Sequence, residues 1–167
     1  INPVFYDGKR AWFRVIHIFD TIIPCWWDDH ENRYEHVSYE QFNQFSLYQL
    51  VKIVAKIAGF SKMVWFSTEI AIEKREGKQC FFAIDYVNDQ CDMSTQTETV
   101  SGVPDEVVEF VASRMVAVAS HALTGNSIAK KYKIFLKDAT VELRGLGIPQ
   151  DILRQWEVNN KLSENKQ

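Results

Sequence analysis

Met63-Val64-Trp65-Phe66-Ser67-Thr68-Glu69-Ile70-Ala71-Ile72-Glu73 and Gln79-Cys80-Phe81-Phe82-Ala83-Ile84-Asp85-Tyr86-Val87-Asn88 are two apolar runs, each interrupted by an acid, Glu69 in the first and Asp85 in the second. Lys74-Arg75-Glu76-Gly77-Lys78 separates them. With a glycine open to positive φ, this stretch folds the runs back as an antiparallel hairpin and sets Glu73 against Gln79 or Cys80-Phe81. Any even offset in the pairing puts Glu69 and Asp85 on one face, opposite or diagonal, roughly 4.5 to 8 Å apart. Carboxylates so placed repel unless a cation lies between them. A divalent metal resolves the conflict: Mg²⁺ takes oxygen ligands, typically one or two carboxylates plus substrate phosphates, and Asn88 offers a further oxygen. Arg or Lys on a wetted face is the other solution, and a register slipped by one residue separates the acids altogether.

Upstream, Asp7-Gly8 between Val4-Phe5-Tyr6 and the Trp12 to Phe19 run signals a tight hairpin. Trp12, Arg14, Ile16 and Ile18 alternate with Phe13, Val15, His17 and Phe19, so both faces of this strand are apolar and it belongs at the centre of a sheet; Arg14 is the exception on its face. Thr21 to Trp27 returns as another strand, with Pro24 favouring an edge or a bulge, and Asp28 to Asn32 forms a polar loop. Ser38 with Gln41, and Ser46 with Gln49, have capping-box spacing and predict two helix starts. Leu47, Leu50, Val51, Val54, Ile57 and Ala58 recur at helical spacing, with Gly59 as the stop. After a polar stretch from Asp89 to Gly102, Pro104 opens a helix favoured by Asp105 and Glu106. Its core stripe is Val107, Val108, Val111, Met115, Val118 and Ala119, and it ends near Thr124-Gly125. Ile128 to Leu143 is mixed, a short helix after Pro149 presents Ile152, Leu153 and Trp156, and Asn159 to Gln167 is a frayed tail.

The expected fold is therefore α+β, a mainly antiparallel sheet packed by helices. Residues 1-125 form the sheet and helices, and 126-167 a helical extension and tail on the same domain. At 167 residues and 46% hydrophobic, the chain is globular with room for one sizeable core. A formal charge of −3 without a basic cluster gives no expectation of nucleic acid or an anionic membrane as partner. Val15 to Trp27, the longest apolar stretch, is too short to span a bilayer, and no signal-peptide pattern is present. Cys25, Cys80 and Cys91 lack CxxC spacing, which points to neither a disulfide framework nor a zinc site and suits a reducing cytoplasm. The chain opens on Ile1-Asn2-Pro3, as expected of a processed product or a piece of something longer.

The order strand, strand, helix, acid-bearing strand, turn, acid-bearing strand ending in Asn resembles the C-terminal half of the ATP-grasp ligases, the superfamily of glutathione synthetases, D-alanine:D-alanine ligases and ribosomal-protein glutamate ligases. The resemblance covers roughly positions 9 to 90 and rests on order and residue type. It implies that Glu69, Asp85 and Asn88 hold Mg²⁺ against the phosphates of ATP, and that Arg14 contacts the transferring phosphoryl group. It also implies the reaction: a small-molecule or peptide carboxylate attacks the γ-phosphate, and an amine or thiol captures the acylphosphate. Mg²⁺ and Arg14 would stabilise the developing charge. Asp85-Tyr86-Val87-Asn88 has one residue more than the family's acid-x-Asn spacing, so a bulge, or the chain leaving the strand, must re-aim Asn88. Asp89-Gln90-Cys91-Asp92 stands where the family often has Pro-Gly, which leaves Asp89 or Asp92 as a candidate substitute for Asn88. The Gly-rich flap and lysines of the family's other subdomain have no counterpart, so the chain looks like the Mg²⁺ and phosphate half of a longer enzyme, with a homo-oligomer compatible with it.

The rival from a different class is a non-catalytic protein-interaction module using the aromatic surface around Cys25-Trp26-Trp27 or the tail helix with Trp156. His17, His30, His36 and His121 are scattered singly and read as structural or surface residues. Cys91 beside Asp92 has no recognisable base.

Overall fold

The computed structural model describes residues 1–123. Asp7 and Gly8 both take positive φ, 49° and 79°. That is the turn a two-residue hairpin needs, and it joins β1 (Phe5–Tyr6) to β2 (Lys9–Arg10). Then come β3 (Trp12–Ile18), β4 (Thr21–Asp28) and β5 (Arg33–His36), helices α1 (Tyr39–Gln44) and α2 (Tyr48–Ser61), strands β6 (Trp65–Arg75) and β7 (Lys78–Ala83), and helix α3 (Asp105–Leu123). The main sheet has five strands in the order β5-β4-β3-β6-β7, every neighbour antiparallel. The fold is α+β, as the alternation of the sequence predicts.

The central position of β3 follows from its two apolar faces. Phe13 and Val15 pack with Trp26, Phe66, Ile70 and Ile72 under α1 and α2, which contribute Phe42, Leu50, Val51 and Val54. Ile16 and Ile18 pack on the other face with Ile23, Cys25 and Tyr34 under Val103, Val107 and Val111, the last two from α3. Each such side chain removed from water contributes roughly 1.5 to 3 kcal/mol before entropy is counted. Among the described residues, no helix is long and apolar enough to cross a membrane.

Several local features differ from the sequence reading. Ser38 and Gln41 form the expected capping box at α1, but Ser46 does not cap α2: it sits at φ 54° in the tight link between the helices, and Leu47 takes the N-cap position without a side-chain bond. Gly59 lies inside α2, which runs on until Lys62 adopts the left-handed conformation, φ 58°. Pro24 is in β4, which has partners on both sides. Its carbonyl accepts from Val37 N at 3.3 Å beyond the last β4–β5 pair, Cys25 with His36, so its missing N–H falls where that ladder has ended. Pro104 immediately precedes α3 and accepts from Val107 and Val108. Of the expected α3 stripe, Val107 and Val111 are buried, whereas Met115 is exposed and Arg114 is buried instead. The end of α3 near Thr124-Gly125, the Ile128 to Leu143 stretch, the Pro149 helix with Trp156 and the tail lie outside the described residues.

His17 is 4% exposed, stacks on Phe66 with centroids 4.8 Å apart, and has no partner for Nδ1. Burial pushes its pKa down to about 4. Between the ordinary imidazole value and that one, the unfolded chain binds a proton that the folded chain refuses, so stability is lost as pH falls through this window. The gap corresponds to about 3 kcal/mol. Urea unfolding at neutral pH and near the lower value should show that loss in the wild type and a much shallower one in His17→Leu; equal pH slopes would contradict it.

Candidate functional site

Glu69 and Arg14 are opposite one another in the β3–β6 ladder, and Cys25 is opposite Arg14 on the β4 side. Directly paired residues share a face, so these three converge on the face that α3 partly covers. The Arg14 guanidinium is a forked donor. One terminal nitrogen, Nη2, forms a salt bridge with Glu69 Oε1, while Nη1 donates to the Tyr34 hydroxyl at 3.1 Å. Its carbon lies 4.7 Å from the Trp27 ring centroid and 5.9 Å from that of Tyr34, within cation–π range. Trp12 Nε1 donates to the second carboxylate oxygen, Glu69 Oε2, at 3.1 Å.

Burial works against the Arg14 charge, but Tyr34 and Glu69 outweigh it and its pKa is raised. The Tyr34 hydroxyl is pushed up by burial, against the opposing pull of Arg14. Both ends of the pair are only partly wetted, with 19% of the Arg14 side chain and 14% of that of Glu69 exposed. This degree of burial makes the pairing matter, because an unpartnered charge at such a depth is costly.

The hairpin of the two acids forms, with Glu76 and Gly77 at φ 50° and 80°, and Glu73 pairs with Cys80. Regular pairing stops at Ile70 with Ala83. Ile84 N then donates to Glu69 O at 2.8 Å while Glu69 N donates to Asp85 O at 2.7 Å, a bulge that sets two residues against one. Further on, Asn88 exchanges both backbone bonds with Ser67 at 2.8 and 2.9 Å. The extra residues thus return Asn88 to the Glu69 face by the re-aiming that its spacing demands. Asp85 has its backbone beside Glu69 but its residue in solvent.

The oxygens expected to hold Mg²⁺ are engaged by the protein's own groups or stand in solvent. Both Glu69 oxygens are occupied by Arg14 and Trp12, Asn88 Oδ1 accepts from Gln90 N at 3.0 Å, and Asp92 Oδ1 accepts from Ser94 N at 2.9 Å. Asp89 is exposed. Among the described residues, no group of three or more His, Cys, Asp or Glu side chains is placed to hold a metal ion. The cation that relieves the buried acid is the guanidinium of Arg14.

Two further features lie at or beside the Cys25-Trp26-Trp27 segment that the sequence offers as an interaction surface. Cys25 pairs across strands with His36. Burial lowers the His36 pKa against the opposing pull of Glu106 from α3, and the same carboxylate adds to the upward shift that burial gives Cys25. Cys25 has no exposed surface and burial pushes its thiol up to about 12, which makes it a packed, protonated group without nucleophilic character. The second feature is a cleft of about 360 Å³ between the β1–β2 and β4–β5 hairpins, lined by Phe5, Lys9, Arg10, Trp26, Trp27 and Tyr34 among others. Ion pairs of Lys9 with Glu35 and Arg10 with Asp29 tie the two hairpins together, and Lys9 Nζ stands 5.7 Å from the centre of the Trp26 ring. Only the final fold brings residues 5–10 to residues 26–35, so no local motif announces the cleft.

No family model, curated protein or solved structure matches the chain.

Replacing Glu69 by Gln should destabilise the fold by about 1 to 3 kcal/mol, because Arg14 loses its counter-charge in a half-buried site. The exposed Asp85→Asn change should stay within about 0.5 kcal/mol of wild type. Chemical denaturation of both variants separates this arrangement from one of mutually repelling acids, for which both substitutions would stabilise.

Proposed function

We propose that residues 1–123 form a non-catalytic module that binds a short peptide segment of a partner protein in the cleft between the β1–β2 and β4–β5 hairpins. The observation that carries this reading is the lining. Phe5 at its margin is 67% exposed and Trp27 is partly exposed, while Trp26 and Tyr34, which also line it, are buried from opposite faces of the sheet, and charged groups of both signs form the rim. A volume of about 360 Å³ lies at the small end of ligand sites and suits one or two anchoring side chains. Aromatic anchors bordered by polar groups are the usual composition of an interaction hot spot. The ligase reading, with ATP and Mg²⁺ as cofactors, asks more of Glu69, whose oxygens already serve Arg14 and Trp12.

The two readings separate in solution. Peptides selected on the wild-type chain from a displayed random library should bind Phe5→Ala at least roughly tenfold more weakly and Glu69→Gln unchanged, while calorimetry with millimolar Mg²⁺-ATP shows no saturable heat. Saturable Mg²⁺-ATP binding that disappears in Glu69→Gln would overturn the module in favour of the ligase half. Peptide binding indifferent to Phe5→Ala would remove the cleft as its site.

A further inference from the structure

The net charge of −3 hides an uneven distribution. From Leu47 to Val64, a stretch that contains all of α2, the chain has Lys52, Lys56 and Lys62 and no Asp or Glu. The inner face of the helix, Leu50, Val51 and Val54, is buried against the sheet, while Lys52, Lys56, Gly59 and Phe60 are exposed. Steps of four residues advance about 6 Å along a helix and turn about 40° past one revolution, so Lys52, Lys56 and Phe60 form an outward ridge roughly 12 Å long that winds about 80° round the helix. Phe60 is 86% exposed, the most exposed of the chain's large apolar side chains within the described residues, and Val64, just past the left-handed Lys62, is 47% exposed. The outer face thus runs from two lysines to an apolar corner, with a third lysine at its end.

We propose that this face of α2, with the Phe60–Val64 corner, docks on an anionic phospholipid surface. The two parts of the ridge match the two layers of such a surface. Lysines beside negatively charged headgroups gain from the surface potential, and an apolar side chain next to them gains by entering the acyl boundary. An acidic protein segment would satisfy the lysines but leave Phe60 and Val64 without an apolar counterpart. Three lysines and one inserted aromatic constitute a reversible, salt-sensitive attachment, because lasting anchoring needs stronger signals than these. The contact is independent of the aromatic cleft, which lies at the other hairpins.

Sedimentation with lipid vesicles tests it. The wild-type chain should partition roughly tenfold more onto vesicles with about a third phosphatidylserine than onto pure phosphatidylcholine, and lose most of that preference as salt is raised. The double variant Lys52→Gln, Lys56→Gln should abolish the preference, and Phe60→Ser should weaken binding several-fold without changing its salt dependence. All three positions are exposed, so thermal unfolding should match wild type. Equal partitioning onto both vesicle types, or binding unaffected by these substitutions, would overturn the proposal. So would tight binding to poly-glutamate with none to vesicles, which would assign the face to an acidic protein segment.

Discussion

A carboxylate on the half-covered face of a sheet must be neutralised, and Arg14 does this for Glu69 from the neighbouring strand. Much of that face is arranged around the pair. Trp12 occupies the second carboxylate oxygen, Tyr34 takes the other arm of the guanidinium, and Trp27 covers the cation with its ring. Four strands contribute to this network: β3, β4, β5 and β6. It therefore fixes the register across most of the sheet, since a slip of one residue in any of them would turn its member to the opposite face.

The other end of the same face is closed differently. Asp20, in the β3–β4 turn, pairs with Arg114 of α3, and both side chains are almost wholly buried. Thr21 Oγ1 also donates to Asp20. A buried pair of this kind adds little net stability over an apolar replacement, but loss of Arg114 strands the Asp20 carboxylate at a cost of about 3 to 5 kcal/mol. It thereby dictates where α3 lies. With α3 fixed over Ile16, Ile23 and Cys25, the Arg14 pair remains at the margin of the helix, partly reached by solvent.

Much of this was legible in the sequence because it depends on local periodicity. The two-sided alternation of Trp12 to Phe19 places β3 at the centre, Asp7-Gly8 and Glu76-Gly77 give their turns by positive φ, and Ser38 with Gln41 caps α1. What resisted reading depends on partners distant in the chain. Arg14 and Glu69 are 55 residues apart, and Arg114 and Asp20 are 94 apart, so neither pairing has a local signature. Arg114 also sits within an apolar helical stripe where periodicity favours Met115. Ser46 matched a capping box in spacing alone, because the short link between α1 and α2 required a left-handed residue at that position. The extra residue before Asn88 calls for a bulge or an exit from the strand, but nothing in the composition places the bulge at Ile84 and Asp85. It arises where β7 gives way to the segment that Asn88 ties to Ser67.

For function, the consequence is that the feature most suggestive of catalysis in the sequence, two acids on a hairpin, contains one acid committed to the fold and another left in water. A double-mutant cycle between Arg14→Met and Glu69→Met, followed by urea unfolding with and without Mg²⁺, tests this most directly. A coupling energy of about 1 to 3 kcal/mol that Mg²⁺ does not change is the predicted result. A coupling near zero, or a chain whose stability climbs with Mg²⁺ concentration as binding linkage requires, would contradict the assignment of Glu69 to Arg14.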